Sequence, residues 1–266
     1  MALIQFSYVS SVLLRSVTVQ VILPADKLAP DGTYLPVKKY KTLYLLHGLM
    51  GAHMDWISGT RIQRWAEERD LAVVMPAGEN SFYLDRPGFY TDYGKFIGEE
   101  LVEMTRRMFP LSEKREDTFI GSLSMGGFGA LRYGLFYADT FSRIIALSAA
   151  LDMFEGGPQP FCGMLGKSEE QWAEIVNSDV NPRWLMAHYK GEKPGVYLAC
   201  GGQDPLLEGT RRYGKLLREA GFEFHYAEDS GGHDWDYWDR HIRLALDWLP
   251  LDDRSGSLNS GNIKGE

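Results

Sequence analysis

The stretch Thr118-Phe-Ile-Gly-Ser-Leu-Ser-Met-Gly-Gly-Phe-Gly-Ala130 runs from a short apolar segment, through a turn of small residues, into a helical pattern carrying Leu131, Leu135 and Phe136. A serine in such a turn needs small neighbours, because a sharp strand-to-helix bend pushes the Ser124 side chain outward while the backbone on each side packs closely. The stretch therefore predicts a nucleophile elbow. Ser124 sits at the helix N-terminus, with the backbone N–H of Met125 directed at any oxyanion formed by attack on a carbonyl. The usual G-x-S-x-G pattern is altered at its first position, where Ser122 stands in place of glycine. Serine is small enough to keep the turn, at some cost in crowding. The competing use of a glycine-rich helix start is packing or phosphate binding.

A serine hydroxyl is a poor nucleophile until a base takes its proton, so the elbow calls for an acid and then a histidine downstream. Both occur. GVYLAC (195 to 200) is followed by GGQDPLL, which places Asp204 in a loop after a strand; FEFHYA (222 to 227) is followed by EDSGGHDWDYW, which places His233 in a glycine-rich loop before the last helix. The other histidines are weaker candidates: His188 lies in an irregular region, His225 within a strand and His241 within the final helix. Asp234 and Asp236 follow His233 too closely to orient its far nitrogen and suit a helix start instead. A third element is LYLLHGLMGAHMDW, where a strand ending at Leu46 runs into His47, Gly48 and Leu49. The backbone N–H of Leu49 is the expected second oxyanion donor, with Gly48 allowing close approach of substrate. His47 is read as a structural hydrogen-bonding residue, since no second histidine at ligand spacing accompanies it. His53 and Asp55 fall near the mouth.

Working outward, short apolar runs alternate with amphipathic stretches. Two period-2 segments, 4 to 10 and 16 to 23, predict an opening hairpin; strands follow at 42 to 47, 71 to 76, 118 to 122, 143 to 148, 195 to 200 and 222 to 227. Helical patterns lie near 60 to 69, 95 to 108, 125 to 138, 209 to 220 and 235 to 248. This order predicts an α/β fold, a mostly parallel sheet of about eight strands with helices on both faces, forming a single domain over 1–250. Residues 149–194 break the rhythm and read as a cap-like insertion over the active site, containing one helix, SEEQWAEIV; 251–266 read as a disordered tail.

Composition bounds the function. With 28 Lys+Arg against 36 Asp+Glu, a net charge of −8 argues against a phosphate-tracking surface and hence against nucleic acid. Cys162 and Cys200 make neither a disulfide framework nor a zinc site, and no metal is expected. No stretch approaches a membrane span and no leader is evident, so a soluble, cytoplasmic protein without a membrane partner is expected. The aromatic content of 13% leaves a homo-oligomer open.

Taken together, YLLHGLMGAHMDWISGTRIQRWA, AVVMPAGENSFYLD, LVEMTRRMFPLS, SLSMGGFGALRYGL, YLACGGQDPLL and GGHDWDYWDRHIRLALDWL resemble the "putative esterase" family related to esterase D, within the α/β-hydrolase superfamily. The likeness is nearest to bacterial tributyrin esterases and covers nearly the whole chain apart from the insertion and tail. It implies an α/β-hydrolase fold and cofactor-free hydrolysis of short-chain acyl esters, a small-molecule substrate. Ser124 is then the nucleophile, Asp204 the acid and His233 the base, with Leu49 and Met125 as oxyanion donors. Related branches include S-formylglutathione hydrolases and other thioesterases, and feruloyl or acetylxylan-type esterases. The formylglutathione branch carries a GHSMGG elbow where this chain has SLSMGG, which sets it apart. A non-catalytic binding module would be expected to have lost a triad residue, and all three are present. Ser81, Phe82 and Tyr83 of the NSFYLD loop, with Phe154, Phe161, Trp172 and Trp184 of the insertion, are expected to shape the pocket beside Gly48; ordinary aromatic packing is the competing role for each.

Overall fold

The computed structural model describes residues 1–85, 90–155 and 168–251. Two antiparallel strands open the chain, β1 (Ala2–Ser10) and β2 (Arg15–Leu23), paired across their whole length. β3 (Thr42–Leu46) leads through two short helices, α1 (Asp55–Gly59) and α2 (Ile62–Glu67), to β4 (Ala72–Pro76). A π-helical turn, Phe96–Glu100, continues into α3 (Leu101–Met108). β5 (Thr118–Leu123) runs directly into α4 (Ser124–Phe136), and β6 (Arg143–Leu147) follows. The 149–194 stretch contributes α5 (Glu169–Val176) and α6 (Pro182–His188). β7 (Gly195–Gly201), α7 (Leu207–Glu219), β8 (Phe224–Asp229) and α8 (Trp235–Trp248) complete the described chain.

The strands form one eight-stranded sheet in the order β1-β2-β4-β3-β5-β6-β7-β8, antiparallel at the β1–β2 and β2–β4 pairs and parallel elsewhere. Its inner strands β3, β4, β5 and β7 are buried at every position and mostly apolar because both faces are covered. Leu43, Leu45, Val73, Met75, Phe119 and Ile145 face a layer built on α2 and α8, through Ile62, Trp65, Ile242 and Leu246. Their neighbours Tyr44, Leu46, Ala72, Val74, Ile120 and Ile144 face a larger layer that includes Phe128, Leu131, Tyr213 and Leu217 of α4 and α7.

The strand expected at 222 begins two residues later for a local reason. Gly221 takes φ +69°, its N–H donates to Arg218 O (3.0 Å), and the Phe222 N–H reaches back to Leu217 O (3.0 Å). This double closure ends α7 and consumes Phe222 before the strand can start. The insertion holds a second helix, α6, that pattern reading passed over; the Asn181 side chain caps it by accepting from the Arg183 N–H (3.0 Å), with Pro182 in the first turn. The 251–266 tail, apart from Leu251, and residues 156–167 of the insertion lie outside the described residues, as do Phe161 and Cys162. Parallel strands end together, so the loops after β3, β5, β6, β7 and β8 meet along one edge of the sheet.

Candidate active site

Ser124 follows β5 directly and has φ +52°, a left-handed conformation that a non-glycine residue adopts only where the surroundings enforce it. The enforcing neighbours are close. A Cβ on Gly126 would lie 1.9 Å from Ser122 Oγ and 2.4 Å from His47 O, and one on Gly127 would lie 2.7 Å from Ala149 Cβ. Ser122 is fully buried and its hydroxyl donates to Leu46 O (2.5 Å), so the departure from the usual elbow pattern is absorbed by a bond to the neighbouring strand. Gly126 supplies the room.

The loops after β7 and β8 bring Asp204 and His233 to this serine. His233 Nε2 lies 3.0 Å from Ser124 Oγ, and His233 Nδ1 lies 2.9 Å from Asp204 Oδ2. A neutral imidazole protonated at Nδ1 donates to the aspartate and accepts from the serine, the arrangement required for the hydroxyl to lose its proton toward histidine. The two loops interlock tightly: a Cβ on Gly201 would fall 2.2 Å from Gly231 O. Asp204 is buried, which penalises its charge, yet hydrogen bonds from His233, the Leu206 N–H (2.8 Å to Oδ1) and the Ser148 hydroxyl hold its carboxyl below the usual range. Asp234 opens α8 by accepting from the Tyr237 N–H (2.9 Å), and so is committed elsewhere.

The loop after β3 lies against the serine. A Cβ on Gly48 would come within 3.5 Å of Ser124 Cβ and 2.7 Å of Leu123 Cδ1, so only glycine fits without displacement. The Leu49 N–H makes no hydrogen bond among the described residues, and the Met125 N–H lies in the first turn of α4, where no intrahelical acceptor exists. His47 fixes this loop from within. Its Nδ1 meets Gly48 O at 2.7 Å and its Nε2 accepts from the Gly78 N–H at 2.8 Å; burial lowers its pKa and keeps it neutral.

Not every residue expected to line the pocket does so. Tyr83 is fully buried, and its hydroxyl accepts from the His47 N–H and donates to His47 O, both at 3.1 Å. Ser81 turns into its own loop, donating to Gly78 O (2.6 Å) and accepting from the Tyr83 N–H (3.0 Å), while Phe82 is packed in the core. These residues brace the β3 loop from below. Phe154 and Trp172 pack in the same core, with Phe154 against Phe128 (5.8 Å) and Trp172 (5.7 Å). Trp184 stacks on His188 and lines a groove with Leu135 and Phe136 at the far end of α4, about 16 Å along the helix from Ser124 at the usual rise. Trp184 is therefore not in the site; α6 packs along the flank of α4 instead. Among the described residues, no group of three His, Cys, Asp or Glu side chains could hold a metal ion, and no helix is long and apolar enough to cross a membrane.

The doubly covered parallel sheet, the elbow and the loops converging on it define an α/β-hydrolase, and the enzyme is a carboxylic ester hydrolase of the serine type. The chain belongs to the Esterase family, described as "Putative esterase", whose model matches residues 10–249. It is 40% identical over 263 residues to an acetyl esterase of Caldicellulosiruptor saccharolyticus, covering 94% of this chain and 98% of that protein. Among solved structures it resembles an S-formylglutathione hydrolase, FrmB, from Staphylococcus aureus, with a TM-score of 0.80, 28% identity and coverage of 93% and 98% of the two chains. A fluorophosphonate-binding serine hydrolase, FphF, of the same organism aligns with a TM-score of 0.81 and 28% identity over 94% and 99%.

Proposed function

We propose that this chain hydrolyses short-chain acyl esters, acetyl esters foremost, through an acyl-enzyme on Ser124. The observation that carries the proposal is the continuous run of contacts from Asp204 Oδ2 through both nitrogens of His233 to Ser124 Oγ, at 2.9 and 3.0 Å. In this reading His233 takes the Ser124 proton as Oγ attacks the ester carbonyl, and Asp204 holds the imidazole and balances the charge it gains. The oxyanion of the tetrahedral intermediate accepts from the Leu49 and Met125 N–H groups, with each such donor worth on the order of 3 kcal/mol. His233 then protonates the departing alcohol. Water enters and gives its proton to the same nitrogen as it attacks the acyl carbon, and that proton returns to Ser124 Oγ as the acid is released.

The 40% identity to an acetyl esterase supports the short acyl group. A second reading, thioester hydrolysis, draws on the likeness to an S-formylglutathione hydrolase, and uses the same catalytic parts on a sulfur leaving group. Hydrolysis of p-nitrophenyl acetate, butyrate and octanoate, measured beside Ser124→Ala, tests the first reading. The expected result is a rate that falls with chain length and is lost in the variant; activity that survives Ser124→Ala overturns it. Comparing S-formylglutathione with p-nitrophenyl acetate at equal enzyme separates ester from thioester preference. A cytoplasmic location and a homo-oligomeric state belong to the same proposal, and fractionation and light scattering test them.

A further inference from the structure

β6 ends at Leu147, and the next residue, Ser148, turns through φ +45° although it is not glycine. Such a conformation is costly and persists where surrounding bonds hold it. Here the Ser148 N–H donates to Ala199 O (2.7 Å), and the residue is fully buried. Its hydroxyl lies among three groups: the Trp238 indole, the Asp204 carboxylate and the Cys200 thiol. The indole Nε1–H can only donate, and it does so to Ser148 Oγ at 3.1 Å. Burial pushes the Cys200 thiol up to about 12, so it stays protonated and can itself donate, whereas the carboxylate can only accept; the single hydroxyl proton is therefore assigned to Asp204, whose carboxyl a Ser148 hydrogen bond helps to hold low.

The same indole meets the histidine. The Trp238 and His233 rings stand edge to face, 4.9 Å apart at 87°. Behind Trp238 come Trp235 (5.1 Å, 89°) and then Trp56 (5.8 Å, 85°), whose Nε1–H donates to Leu46 O (2.7 Å), the carbonyl that also receives the Ser122 hydroxyl. Three indoles thus run from the end of β3 to the imidazole, hydrogen-bonded to the scaffold at both ends.

We propose that Ser148 and Trp238 are positioning residues that act as one strut, Ser148 aiming the Asp204 carboxylate and Trp238 fixing the plane of His233. The proposal rests on the reading of Ser124, Asp204 and His233 as the reacting groups. Ser148 and Trp238 act through the residues they hold. Ser148→Ala removes the donor to Asp204 and the acceptor for the indole; Trp238→Phe keeps an aromatic ring beside His233 but removes the N–H. Both break the same Trp238–Ser148 bond, so their effects are coupled.

The test is a double-mutant cycle on the full-length enzyme with p-nitrophenyl acetate, following kcat and KM separately. Each single variant is expected to lower kcat about tenfold with KM nearly unchanged, and the double variant to fall no more than about twofold below the weaker single. The titratable groups facing Asp204 are His233 and Cys200. A carboxylate that has lost a donor holds a protonated imidazole more tightly, so the acid limb of kcat/KM in Ser148→Ala is expected to move to higher pH by about half a unit. Unchanged kcat in both singles, or multiplicative losses with an unmoved acid limb, overturns the strut. If Ser148→Ala fails to fold, Trp238→Phe and its acid limb carry the test alone: a tenfold loss in kcat supports the strut and an unaltered profile overturns it. Fluorophosphonate labelling of the wild type and Ser124→Ala runs in parallel. Labelling that persists in Ser124→Ala removes the triad reading itself, an outcome distinct from failure of the strut.

Discussion

At Ser124 a left-handed backbone, a hydrogen bond to an imidazole and the start of a helix coincide on one residue. Replacing its hydroxyl by hydrogen leaves the oxyanion donors in place but removes the acylation step, so Ser124→Ala is expected to lower kcat for p-nitrophenyl acetate by about 10⁴-fold or more, with the melting temperature maintained. Ser122 makes the opposite case. Glycine at this position would restore the usual elbow pattern, yet the Ser122 hydroxyl satisfies Leu46 O from a fully buried site. Ser122→Gly is expected to cost about 1 kcal/mol and a few degrees of melting temperature, with no gain in activity, as calorimetry and ester assays on the variant can check. The meeting of Ser124, Asp204 and His233 was legible at this scale because the proposed triad demands particular residue types in a particular chain order. Ser148 was not, since its proposed role comes from a backbone angle and a buried indole that no spacing rule reports.

The element scale is where local reading went furthest and where its misses are informative. Every strand was legible to within a residue or two, because the inner strands carry mostly apolar runs and the opening hairpin alternates with period two. α6 escapes pattern reading because it is short and its start, Asn181-Pro182, follows Asn177-Ser178-Asp179, which read as loop. Aromatic residues of the NSFYLD loop and the insertion pointed to a pocket, but period and type cannot say which face of a loop is buried; Tyr83 and Trp184 went to bracing and to a distant groove. Two variants examine the elements directly. Gly126→Ala drives a methyl into Ser122 Oγ and His47 O, joining the elbow to the β3 loop. It is expected to destabilise by about 1–3 kcal/mol, and Ser122→Gly in the same chain to recover only part of this because His47 O is backbone; denaturant unfolding of the three variants measures both effects. Tyr83→Phe removes both hydroxyl contacts with His47 and is expected to cut kcat several-fold with little change in KM, read from steady-state kinetics.

Across the whole molecule the titrating groups set an asymmetric response to pH. His47, His53 and His241 have pKa values lowered below 6.5 by burial, so the unfolded chain takes up protons on them first. Stability from these groups is fully present above pH 6.5 and is lost as pH falls below it. Asp204 and Asp239, also lowered from their ordinary 3.8, contribute stability that is present above that value and is lost as pH drops further. The melting temperature is therefore expected to decline in two stages on acidification, the first below about pH 6.5 and the second below about pH 4; a calorimetric series from pH 8 to pH 3 that shows a single late drop contradicts the first stage. The sheet order carries a consequence for synthesis. From β5 onward each new strand joins the edge left by the one before, through β6, β7 and β8. A chain emerging from the ribosome can therefore build the sheet outward as it is made, with Ser124 and Asp204 seated before His233 has left the exit tunnel. On the proposed reading of Ser124, Asp204 and His233, the serine stays inert through that interval, and the nascent chain becomes a catalyst only once β8 and α8 have docked.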